Sequence, residues 1–136
     1  MEMLAKAYTS LIGGIFLLIG AIMLVAPGAN LAGDGVDFAS FPTAGKAEVR
    51  AYYVGTALCV AWTVLCSELR AALLAIAVVL GGFAGTRVVG YALDGVDGDE
   101  ALAFHQNAVF VSEVVGCTVA LMLLPAAARD TAKKSS

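Results

Sequence analysis

Hydrophobic and polar positions along this chain sort into long blocks instead of alternating within each helical turn. Four apolar blocks cover about residues 7–26, 47–66, 71–93 and 102–124, and three polar stretches separate them. A 20-residue helix rises about 30 Å, the hydrocarbon thickness of a bilayer. The pattern therefore predicts an all-α fold: one integral membrane domain over residues 1–136, built as a four-helix transmembrane bundle. The first block stops at Pro27-Gly28, a helix-ending pair. A cleaved signal peptide is the competing reading of that block, since Lys6 precedes it. The block is longer than a usual signal h-region, however, and no small-x-small cleavage site follows it.

The connections differ in character. Between Gly28 and Gly45 the chain turns to Gly, Ala, Asp and Ser with Phe38 and Phe41, which predicts an aqueous loop with one interfacial turn held by the phenylalanines. Polar loops of this length are more often functional than short ones, and a passive tether is the plain alternative. Ser67–Arg70 reads as a tight turn between antiparallel neighbours. Asp94–Glu100 is an acidic hairpin, and Pro125 is expected to close the fourth span ahead of a tail with Arg129, Asp130, Lys133 and Lys134.

Composition supports the membrane reading and charge orients it. Apolar residues make up 60% of the chain, charged ones 14%, and the mean hydropathy is +0.89, outside the range of soluble domains. The net charge of −3 lacks the basic surplus of a nucleic-acid-binding protein. Four spans place both termini on one side, together with Lys6, Arg70, Arg129, Lys133 and Lys134; the opposite side has Lys46 and, at the membrane edge, Arg50. An excess of Lys and Arg marks cytoplasmic segments. Both termini are thus expected in the cytoplasm of a cell whose inner membrane holds the bundle. The loops with Asp34, Asp37, Asp94, Asp97, Asp99 and Glu100 are then outside.

Candidate chemistry centres on Arg87, an arginine inside an apolar block. Such a residue costs roughly 2.5–3.5 kcal/mol near the centre of a membrane helix, so it normally faces a partner helix, an acid or a wet cavity. At the rise of a helix it lies about 10 Å below the Asp94–Glu100 hairpin, and Glu113 lies about 16 Å deep, so an ion pair between the third and fourth spans is feasible. Helical spacing adds neighbours and gives a candidate intramembrane cluster of Arg50, Arg87, Tyr91, Gln106 and Glu113, with Glu48, Tyr52, Tyr53 and Asp94 at its rim. Two cations against one deep acid would favour an anion, a carboxylate or a lipid headgroup. The alternative is that buried charges pair only to complete the bundle and fix its register. No nucleophile stands beside a base, and His105 reads as an interfacial anchor. Cys59, Cys66 and Cys117 match no zinc or redox spacing and read as small packing residues, so no catalytic residue, metal or cofactor is expected.

Small residues recur at four-residue spacing. Gly81 and Gly85 form a GxxxG pair, Gly82, Thr86 and Gly90 a second stripe, and Ser112, Gly116 and Ala120 a third. On the second span Gly55, Cys59 and Trp62 are placed for close helix contact. Besides the lipid bilayer, the partners expected from these stripes are a second copy or a larger membrane complex. Two functions follow as expectations: a noncatalytic structural or accessory membrane protein, or a site that binds or transports a small anionic or polar ligand.

The segments EVRAYYVG (Glu48–Gly55) and GTRVVGYALDG (Gly85–Gly95), with a glutamate in the last span, resemble the bacterial four-span membrane proteins grouped as domain of unknown function 4345. The family pattern falls on Glu48, Arg50, Tyr53, Gly55, Arg87, Gly90, Asp94, Gly95 and Glu113; Val54 stands where the family would have a second glycine. The resemblance implies a four-span fold and brings no reaction with it.

Overall fold

Each apolar block becomes a helix, and each helix starts before its block does. The computed structural model describes residues 1–32, 35–95 and 100–134, with side chains for all of these but 94, 101, 102 and 128–134. The long helices are α1 (Glu2–Val25), α3 (Thr43–Cys66), α4 (Leu69–Asp94) and α5 (Glu100–Lys134), and a one-turn helix α2 (Pro27–Leu31) follows α1. All four long helices contain a stretch long and apolar enough to cross a membrane. The early starts add polar turns that an interface tolerates; on α1, Glu2 pairs with Lys6 one turn later.

Two boundaries differ from expectation. The turn at Ser67–Arg70 narrows to Ser67 and Glu68, because the extended backbone at both residues suffices to reverse the chain, and Leu69 and Arg70 are already helical. Pro125 does not end the last helix but lies inside α5. A proline removes a single N–H from a helix and clashes with one carbonyl. Here the buried Ala127, about half a turn further on, packs the continuation against the core. The Gly28–Gly45 segment is also more ordered than a plain loop. It contains α2 and a 3₁₀ turn at Phe38–Ser40, where the Asp37 carboxylate accepts the Ala39 N–H at 3.0 Å.

The helices pack as two intimate pairs, α1 with α3 and α4 with α5, which meet through lesser contacts of α3 and α1 with α4 and of α1 with α5. Glycine makes the first pairing possible. A β-carbon at Gly13 would stand 2.6 Å from Leu65 and 3.3 Å from Val64, and one at Gly20 would stand 3.2 Å from Leu58. The facing surface of α3 is Ala57, Val60, Ala61 and Val64, a stripe at helical spacing. Gly55, Cys59 and Trp62 are accordingly turned outward, not into the helix contact expected of them: Gly55 has open space around it, Cys59 is exposed and Trp62 is 73% exposed. Small residues alone did not fix the face; Val64 and Leu65 at Gly13, and Ala57 and Leu58 at Gly20, fill the groove that α1's glycines leave.

Ala5, Ala61, Val64, Leu73, Ile76, Leu123 and Ala127 belong to one buried cluster, so the core joins the start of α1, the end of α3, the start of α4 and the late part of α5. At the end of α1 and in α2, Met23 and Leu31 are fully buried as well, while the first half of α3 contributes no buried residue. Across the bundle Tyr8 donates its hydroxyl to the Gly116 carbonyl at 2.5 Å, and the Cys117 thiol lies 3.4 Å from the Ala77 carbonyl. Leu11, Leu18, Trp62, Val78, Leu93, Phe104 and Met122 are exposed on the outside. A surface this apolar suits lipid as its solvent, as expected of a multi-pass membrane protein.

Candidate functional site

Arg87 and Glu113 come together because α4 and α5 are packed side by side, which brings residues 26 apart in sequence into contact. Arg87 Nε donates to both carboxylate oxygens of Glu113, at 2.9 Å and 3.1 Å. The two partners are unequally buried. The Glu113 side chain is 7% exposed and the Arg87 side chain 31% exposed, so the carboxylate is the charge with nowhere else to go. Charge-assisted hydrogen bonds of this kind are about twice as strong as neutral ones. An arginine also has the reach to keep part of its guanidinium towards a wetter layer.

Around this pair the expected cluster is only partly assembled. Tyr91, one turn beyond Arg87, stacks edge-on against Phe110 with ring centroids 6.2 Å apart. Its hydroxyl is buried and has no hydrogen-bond partner among the described residues. An orphaned buried hydroxyl carries a desolvation penalty of about 1–3 kcal/mol. Tyr91→Phe is therefore expected to leave stability unchanged or raise it by up to about 1 kcal/mol, measured as the unfolding midpoint in detergent. A loss of stability beyond that would mean that the hydroxyl has a polar partner in the membrane. Gln106 is half-buried one turn before Phe110 and makes no hydrogen bond among the described residues.

Arg50 is not part of that assembly. It lies seven residues into α3, and its guanidinium carbon sits 5.2 Å from the centre of the Phe38 ring. Lys46 places its ammonium 5.9 Å from the same ring. Both cations line a cavity of about 720 Å³ with Asp37, Phe38, Gly28 and Gly35. The physical reason is reach: the 3₁₀ turn at Phe38–Ser40 folds over the start of α3 and offers an aromatic face there. Glu48 is exposed, and Tyr52 and Tyr53 form an exposed edge-to-face pair at 5.5 Å. Asp94 ends α4, and its side chain lies outside the described residues. The sequence reading missed Phe38 and Lys46 as members of a site. The available signal was the four-residue spacing of Lys46 and Arg50, which puts both on one face of α3.

Among the described residues no group of three or more His, Cys, Asp or Glu side chains is placed to hold a metal ion. What the geometry can do chemically is bind charge: the α4/α5 centre binds its own, and the α3 centre presents unmatched cations. Compared with known proteins, the chain matches no protein-family model, no curated protein and no solved structure.

Proposed function

We infer that this is a noncatalytic inner-membrane protein, a structural or accessory bundle that works by packing against a second copy of itself or a larger membrane assembly. The observation that carries the reading is the open face of α4. A β-carbon at Gly82, Gly85 or Gly90 would meet nothing within 4 Å, and Val78, Thr86 and Val89 are exposed beside them. Small-residue faces let a second backbone approach closely, and that close packing drives helix association in lipid. Gly81 belongs to the interior instead, its would-be β-carbon 3.2 Å from Cys117 Sγ. The expected Gly81–Gly85 pair thus lies at the edge of the α4/α5 contact, with Gly81 against Cys117 and Gly85 in open space, and the stripe with Gly82 and Thr86 is the one left for a partner. The ion pair of Arg87 Nε with Glu113 supports the same reading, since it neutralises the buried carboxylate within the bundle.

The orientation that goes with this reading has both termini in the cytoplasm, supported by the basic residues at that end of the sequence. The resemblance to the four-span family of unknown function is compatible with it and adds no reaction. Native mass spectrometry after mild solubilisation tests the proposal. A dimer or a copurifying membrane protein is expected, with Gly82→Leu shifting the distribution towards free monomer. A strictly monomeric wild type with no copurifying protein would count decisively against it.

A further inference from the structure

The cavity beside α3 carries an inference of its own. Among the described residues its lining contains two cations, Lys46 and Arg50, and one acid, Asp37, a net charge of +1. Among the described residues neither cation forms an ion pair: the ion pairs there are Lys6 with Glu2 and Arg87 with Glu113. Asp37 is not their counterion. Its carboxylate accepts the Ala39 N–H at 3.0 Å, and among the described residues it makes no ion pair with either cation. Like charges four residues apart on one helix face repel each other. Both lie within about 6 Å of one ring, the limit of a cation–π contact, which lessens the repulsion and leaves it uncompensated. An anion placed between them would turn the arrangement from a cost into a binding site.

Depth specifies the anion. The 24 residues of α3 span about 36 Å, some 6 Å more than the hydrocarbon core, so its first turns extend into the headgroup layer. Lys46 and Arg50 lie about 5 and 10 Å from the start of α3, the first at the inner edge of the headgroup layer and the second a few Å below it, and both long side chains can extend from there towards the lipid phosphates. Arginine's planar fork matches phosphate oxygens, and lysine adds a point charge. A phosphodiester carries one negative charge, which balances the +1 of the lining. Around it Gly28 and Gly35 keep the walls of this wide-open depression low, and Gly35 has a positive φ of 73°.

We propose that this cavity is a binding site for a phosphate group presented by an anionic lipid headgroup, held between Lys46 and Arg50 under the Phe38 ring. The site goes beyond the packing function and does not depend on it: a variant made monomeric at Gly82 still binds the lipid. The test is native mass spectrometry of the full chain, solubilised in neutral detergent and titrated in separate arms with phosphatidylglycerol, phosphatidylcholine and inorganic phosphate. Wild type is expected to retain phosphatidylglycerol about tenfold more strongly than Lys46→Gln/Arg50→Gln, with phosphatidylcholine held equally by both. Arg50→Lys, which keeps the charge and loses the fork, falls between them. An unchanged thermal midpoint in each variant establishes that the fold is intact. Equal retention of phosphatidylglycerol by wild type and the double variant overturns the site. Cation-dependent retention of inorganic phosphate without preference for phosphatidylglycerol overturns the lipid source.

Discussion

Arg87→Met is expected to destabilise the bundle by about 3 kcal/mol, the low end of the cost of stranding one member of a buried ion pair. The low end applies because Arg87 keeps 31% of its side chain exposed and the helix pair can relax around it. The stranded group would be Glu113, whose carboxylate is 7% exposed and takes both of its described hydrogen bonds from Arg87 Nε. Glu113→Gln should cost less, about 1–2 kcal/mol, since an amide oxygen still accepts from the guanidinium while the cation loses its counter-charge. In the double variant most of the loss should return, because methionine and glutamine leave no charge unmatched. The measurement is a double-mutant cycle on unfolding by dodecyl sulfate, followed by helical circular dichroism in mixed micelles. Single losses that simply add in the double variant would mean that the two side chains are not coupled. Stable single variants would mean that the pair does not hold α4 to α5, and the competing reading of Arg87 as a ligand-binding cation would gain.

Gly13→Leu is expected to have the next largest effect, a loss of about 2–3 kcal/mol through overpacking of the α1/α3 contact. A β-carbon there would stand 2.6 Å from both Cγ and Cδ2 of Leu65, with Val64 at 3.3 Å behind. Leu65 is partly exposed and its end can swing away, so Gly13→Ala should be far milder than the leucine variant. Gly14 supplies the control on the adjacent face, since a β-carbon there meets nothing within 4 Å. Gly14→Leu should leave stability within about 0.5 kcal/mol of wild type, as surface substitutions usually do. Equal effects at the two positions would contradict the close approach of α1 and α3. The same unfolding assay reads all three variants.

The four helices were legible because their signal is local. Twenty or more apolar residues in a row define a membrane-length helix whatever it packs against, and Pro27-Gly28 marks a stop by backbone chemistry alone. The ion pair was nearly legible too: Arg87 and Glu113 are intramembrane charges of opposite sign at compatible depths, and an apolar medium drives such groups together. Arg50 was misplaced by the same reasoning. Depth and spacing put it level with Arg87, but a long flexible side chain goes to the nearest surface that stabilises it, and Phe38 arrives there only once the chain has folded over α3.

By itself the sequence determined the number of helices, their approximate ends, the charges they would have to accommodate and the glycines that could permit close approach. Tertiary structure alone decided which glycines are used: Gly13, Gly20, Gly81 and Gly116 face neighbours, whereas Gly82, Gly85 and Gly90 do not. It also decided that Arg87 and Arg50 belong to separate centres, one closed by Glu113 and one open between Lys46 and Phe38. The physical reason is that rotation of a helix about its axis is set by packing, and in helices that are apolar on every side the sequence places little penalty on turning one face inward instead of another.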